Sequence, residues 1–210
     1  YYLHLLKTFK SAKIYSNILI YRETVSVLID KEDATGIQEK AVFGDLNDTG
    51  NKLRDVLFYH RAIRAYWSGY TERCNHYSEK YMSISWPEAR FMKLQMEFYH
   101  GLNSLDILKK KLRGFSSVKC KEALRTSISV MRNAAAHSDW NYANKLCLLV
   151  AEQQSLSCDH INAIKLYDAS IESARKSGFI HEQGLAYEKA GFYFKNKAGN
   201  NEKALEYFKQ

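Results

Sequence analysis

Apolar residues return every three or four positions over most of this chain, the spacing of helices that each bury one face. The clearest stripe runs Phe91, Leu94, Phe98, Leu102, Leu105, Leu108 and Leu112, and predicts a helix over residues 88–112. Gly114-Phe115-Ser116-Ser117 ends it, with Ser117 as the expected N-cap of a helix reaching about His137. Ser138-Asp139 should cap a helix over 140–156, and Asp159 one over 160–176. Ser177-Gly178 reads as a helix stop, because glycine suits the left-handed position after a last turn. Helices over 181–197 and 202–210 follow, parted by Gly199-Asn200-Asn201. Upstream, a helix over 53–67 and another ending near Ser83 pair about the turn Ser68-Gly69-Tyr70. Trp86-Pro87 closes that pair, since the residue before a proline is pushed out of the helical region. Residues 1–29 read as one long helix or two in a hairpin, although the β-branched stretch 24–29 would also suit a strand. Glycines 36, 44 and 50 mark residues 30–51 as a loop. Two segments are expected: an N-terminal helical segment and loop over 1–52, and helical repeats over 53–210.

The repeats emerge from comparing the chain with itself. Val150-Ala151 aligns with Ala190-Gly191 at an offset of 40, and Ala163 aligns with Ala204 and Tyr167 with Phe208 at 41. Each first helix thus carries a small residue at its centre. Each second helix carries alanine and, four residues on, an aromatic. Small residues let two helices approach closely, and the aromatic fills the next gap. The expected packing set is Ala151, Ala163, Tyr167, Ala190, Gly191, Phe194, Ala204 and Phe208. The fold class is all-α: antiparallel helix pairs stacked as a tetratricopeptide-like, right-handed solenoid. Units near 40 residues are longer than the usual tetratricopeptide repeat of 34. On the last helix, Ala204, Leu205 and Phe208 should pack back on the preceding one, with Tyr207 facing away toward a further helix.

A narrower resemblance covers residues 98–210. It rests on Phe98-Tyr99-His100-Gly101-Leu102, Trp140-Asn141-Tyr142, Leu148-Leu149-x-Ala151-Glu152, Ala163-Ile164-x-x-Tyr167-Asp168, Gly178-Phe179-Ile180-His181-Glu182 and Leu185-Ala186-Tyr187-Glu188-x-Ala190-Gly191. Together these resemble the helical region of large AAA-type signalling ATPases and serine/threonine-kinase–histidine-kinase fusion proteins. The resemblance implies an interaction and relay segment lying between a nucleotide-binding module and sensor or kinase modules. None of that family's catalytic motifs stands in this sequence, so no catalytic residue is carried over.

Composition and chemistry narrow the function further. One proline, Pro87, in 210 residues leaves long windows for helix propagation. The net charge of +8 raises an alternative, a basic helical-repeat module that binds RNA. No basic run is interleaved with aromatics, however, and Lys109-Lys110-Lys111 with Arg113 falls where cations complement a helix C-terminus. Cys74, Cys120, Cys147 and Cys158 form no C-x-x-C pair and fit a reducing, cytoplasmic setting. No apolar run is long enough for a membrane span. Asp45-x-Asn47-x-Thr49-Gly50 begins like a calcium loop, but the twelfth position is Val56 where a glutamate ligand is needed. His181-Glu182 lacks the second histidine of a zinc motif and reads as the start of a helix. His137-Ser138-Asp139, adjacent in sequence, cannot take triad geometry and reads as capping. No phosphate-binding loop or kinase motif occurs. No catalytic residue, cofactor, metal or small-molecule substrate is therefore expected.

What remains is surface. The expected contacts to a protein partner, or to neighbouring domains of the same chain, are polar residues of first helices not needed for packing. These are Asn141, Asn144, Lys145, Gln153, Glu188, Lys189 and Lys195. The absence of an initiator methionine and a last residue, Gln210, inside a helical pattern lead to the expectation of a piece of a longer chain.

Overall fold

Helix formation follows the apolar periodicity closely. The computed structural model describes residues 50–83, 90–157 and 159–210. Among them stand eight helices and no strand: α1 (Gly50–Trp67), α2 (Thr71–Met82), α3 (Arg90–Lys110), α4 (Ser117–His137), α5 (Asp139–Leu156), α6 (His160–Lys176), α7 (Ile180–Asn196) and α8 (Asn201–Phe208). The expectations for residues 1–29, the Asp45 loop, Trp86-Pro87 and Cys158 lie outside the described residues.

Helix ends show why the boundaries fall where they do. The N-cap of α4 is Ser116 rather than Ser117; its side chain accepts the Lys119 N–H. Asp159 caps α6 by accepting the Asn162 N–H, and Asn200 caps α8 by accepting the Lys203 N–H. Such caps each contribute about 1 kcal/mol. At the other ends, Tyr70 N–H donates to Ala65 O, Leu112 N–H to Ile107 O and Phe179 N–H to Ala174 O. These are the same six-residue closure, and it needs a left-handed residue just before the donor. Gly69 and Gly178 supply it, with φ of 76° and 73°. Lys111 supplies it for α3 with φ of 50°, so that helix stops two residues short of Leu112.

The chain divides into two compact units, Tyr1–Met96 and Glu97–Gln210. In the first, α1 packs on α2. Phe58, Ala62, Tyr81 and Met96 form a core there, flanked by Tyr59, Tyr77, Met82 and Met92. Burial, with Asp55 and Tyr59 nearby, pushes the Tyr81 hydroxyl up to about 12. Phe91, counted in the apolar stripe of α3, is exposed instead.

In the second unit α5 packs on α4 and α6, α7 on both α6 and α5, and α8 on α7. Leu102, Leu105, Met131, Leu148, Leu149, Ala151, Ala163, Tyr167, Ala186 and Ala190 are fully or almost fully buried. Each large side chain among them contributes about 1.5–3 kcal/mol by leaving water. Gly101 of α3 marks a close approach of three helices: a Cβ there would lie 2.8 Å from Ser127 Cβ on α4 and 3.0 Å from Leu149 on α5.

Candidate functional site

Helix α5 carries charged and polar side chains among its buried apolar ones. Lys145, Leu148, Leu149, Glu152 and Ser155 recur at threes and fours, and all five are buried. A buried charge is tolerated only when it is paired and hydrogen-bonded. Glu152, 1% exposed, receives Lys109 Nζ of α3 at 2.6 Å and the Tyr167 hydroxyl of α6. Lys189 of α7 donates to both oxygens of Asp106 on α3, at 3.0 and 3.2 Å. Four helices therefore meet through five polar side chains. Burial alone would raise the Glu152 carboxyl. The Lys109 and Lys189 charges, with the Lys109 and Tyr167 hydrogen bonds, outweigh it and hold the group below the ordinary carboxylate range. The same cluster raises the Tyr167 hydroxyl, through burial first and the Glu152 charge second.

Two turns earlier on α5, Lys145 is likewise 1% exposed. Its ammonium pairs with Glu182 of α7 at 3.1 Å, donates to Asn141 O at 3.1 Å, and lies 4.6 Å from the Phe179 ring centre. Burial lowers the lysine, and Glu182 pulls it partly back. Beside it, Asn144 accepts the Ser170 hydroxyl on its carbonyl at 2.8 Å, while neither atom of its buried side-chain amide has a partner. These charges make α5 a selective neighbour for α3, α6 and α7, because pairing one of them wrongly would strand a buried charge.

The N-terminal turn of α5 is built oppositely. Trp140 is 63% exposed. It borders a cleft of about 660 Å³ lined by Asp139, Trp140 and Ala143 of α5, Ala169, Glu172, Ser173 and Lys176 of α6, and Ser177. The indole N–H donates to Ser177 O at 3.3 Å, and the Ser177 hydroxyl donates to Trp140 O at 3.0 Å. Asp139 accepts the Trp140 backbone N–H at 2.6 Å. Glu172 is held from its own helix by Arg175 at 2.7 Å and Lys176 at 3.4 Å, both side chains exposed.

Of the expected packing set, Ala151, Ala163, Tyr167, Ala190, Gly191, Phe194 and Ala204 are buried. Phe208 is 43% exposed, yet its ring covers Gly191, where a Cβ would meet it at 2.5 Å. Leu205 and Tyr207 exchange the roles expected of them. Leu205 is exposed, whereas Tyr207 stacks on Phe194 and donates to Asp168 at 2.6 Å. Of the expected partner contacts, Asn141, Glu188 and Lys195 are exposed and Gln153 is half-buried. Asn144 and Lys145 are buried and Lys189 is paired with Asp106, so these three serve packing. His181 does not cap α7, whose N-cap is Phe179; Glu182 lies in the first turn of α7 and also pairs with Lys145. Ser138 accepts the Asn141 amide, and its own side chain makes no cap bond to α5. Cys74 and Cys120 are buried and Cys147 is half-buried, its thiol raised by burial.

Sequence reading missed Glu152, Lys109 and Asp106 as one group. The available signal was a charge at an apolar-face position, Glu152 following Leu148 and Leu149 at four and three residues. Among the described residues no helix is long and apolar enough to cross a membrane, and no three His, Cys, Asp or Glu side chains are grouped to hold a metal. Comparison with known proteins finds no matching family model, no similar curated protein and no similar solved structure.

Proposed function

We propose that this chain is a protein-interaction segment without catalysis of its own, built as antiparallel helix pairs in a tetratricopeptide-like, right-handed solenoid. Support for the pairing comes from α5 and α6. Trp140 at the start of α5 meets Ser177 beyond the end of α6, and Glu152 late in α5 meets Tyr167 midway along α6. Packing of each helix from α4 to α8 on the next, with α7 also on α5, suits a stack of such pairs. The setting implied by the sequence resemblance goes with this reading: a cytoplasmic relay segment of a multidomain signalling ATPase or kinase fusion.

The observation that carries the interaction role is the Trp140 cleft. A large aromatic ring, held by its own N–H and left bare on its face, is the material of binding hot spots. The charged cluster farther along fixes α5 against its neighbours, which lowers the cost of presenting the ring. Peptide display against the purified chain tests this. Selected peptides should bind in a one-to-one ratio by calorimetry, while RNA homopolymers in about 150 mM salt should not. Tight RNA binding with no selected peptide would overturn the reading in favour of the basic RNA-binding module.

A further inference from the structure

We propose that the Trp140 cleft is a receptor for an arginine side chain presented by a peptide partner; this rests on the interaction reading above. The lining has three parts that fit one chemistry. Ala143 and Ala169 contribute no more than methyl groups, so a side chain can enter between the helices. The indole is anchored through its N–H to Ser177 O, which leaves the π face as the surface on offer. Tryptophan is the best side chain for attracting a cation to its face.

The third part is charge. The ionisable lining residues are Asp139, Glu172 and Lys176, an acidic lean on a chain whose net charge is +8. Asp139 uses one oxygen on the Trp140 backbone N–H and leaves the other for a ligand. Glu172 is engaged only by exposed cations one turn along its own helix, and such pairs are readily exchanged. The last turn of α6 turns the negative end of its helix dipole to the cleft, and Asp139 offsets the positive end that the first turn of α5 brings there. A planar guanidinium can stack on the indole while its in-plane N–H groups reach carboxylates at the edge. An ammonium cannot do both at once. Lys176 opposes any cation in the cleft, so removing its charge has a defined sign.

The test titrates the full chain with a short acetylated, amidated peptide carrying one arginine between glycines and serines, read by tryptophan fluorescence and calorimetry. Parallel titrations use the same peptide with lysine and with citrulline, the neutral isostere. The arginine peptide should bind at least about tenfold more tightly than the citrulline peptide, with lysine between them. Trp140→Ala and Asp139→Asn should each weaken binding about tenfold at a temperature where circular dichroism shows both variants fully folded. Trp140→Phe, which keeps an aromatic face, should retain most of the affinity. Lys176→Gln should tighten binding. Equal affinity for arginine and citrulline, or full affinity in Trp140→Ala and Asp139→Asn, would overturn the proposal. Display-selected peptides that still bind Trp140→Ala would overturn this cleft while leaving the interaction reading standing.

Discussion

Glu152 and Trp140 sit on the same helix, twelve residues or roughly 18 Å apart, and reverse the usual placement of their residue types. The carboxylate is buried and the indole is bare. The difference lies in what each neighbourhood offers. Around Glu152, three other helices bring Lys109, Tyr167 and Lys189 close enough to satisfy a charge without water. Around Trp140, the small Ala143 and Ala169 and the last turn of α6 leave a cleft that no side chain of the unit fills. Closed charge identifies the part of α5 that holds the unit together, and open aromatic surface the part free to recognise something else. Changes at the first should therefore move stability, and changes at the second should move binding.

Glu152→Gln should have the largest effect. It leaves the Lys109 ammonium without its counter-charge and should cost about 3 kcal/mol, the low end for breaking a buried pair because Lys109 is still partly hydrated. Urea denaturation at neutral pH measures it. The folded carboxyl lies below its ordinary value of 4.5, so its contribution is present above that value. It is lost as pH falls through the folded value. The gap between parent and variant should close in acid. A variant as stable as the parent at pH 7 would break the contrast, since the charge would then be incidental.

The two glycines of the second unit's helix contacts sharpen it. Gly101→Ala presses on Ser127 Cβ, which moves only with the backbone of α4, and should destabilise by about 1–2 kcal/mol despite alanine's better helix propensity. Gly191→Ala meets only the outer edge of the half-exposed Phe208 ring, which can swing aside. Its thermal midpoint should stay near the parent's. If Gly191→Ala proves the costlier of the two, the tight contact has been assigned to the wrong end of the unit.

Asp55 in the first unit supplies the opposite case to Glu152. Burial pushes its carboxyl up to about 6, and one of its oxygens has no hydrogen-bond partner. Its folded value lies above the ordinary 3.8, so stability is full below about 4 and falls as pH rises through 6. Asp55→Asn removes that fall. The variant should melt above the parent at pH 7.5 and with it at about pH 3.5, a small shift because the group is largely hydrated. Two acids with opposite pH signatures would confirm that a carboxylate stabilises only where partners answer its charge.

Much of this architecture was legible in residue order. The stripe from Leu94 to Leu105, the glycine stop at 178, the cap Asp159 and the break at Gly199-Asn200-Asn201 are local signals, and the helices they imply match to within about three residues at each end. Alanine at 151, 163, 190 and 204 likewise announced close helix contacts. What local reading could not supply was partnership across distance. Lys109 and Glu152 are 43 residues apart, and Lys189 and Asp106 are 83 apart. Without Glu182 and Asp106 in view, Lys145 and Lys189 look like free polar surface. The exchange between Leu205 and Tyr207 has another cause. On an eight-residue helix either flank can be the apolar one, and Tyr207 wins because its hydroxyl reaches Asp168 while its ring stacks on Phe194. The cleft was invisible for a related reason: it depends on which turn of α6 lies beside Trp140.

The division of α5 into a closed part and an open part is tested most directly by following backbone and indole N–H resonances of the labelled chain during titration with the arginine peptide. The Trp140 indole N–H and the amides of Asp139, Ser173 and Ser177 should shift together and saturate with the calorimetric affinity. The amides of Lys145, Glu152, Glu182 and Lys189 should hold their positions. Shifts centred on Glu152 and Lys189 with a silent Trp140 would show that the paired charges open to take the ligand, and would contradict the assignment of binding to the cleft.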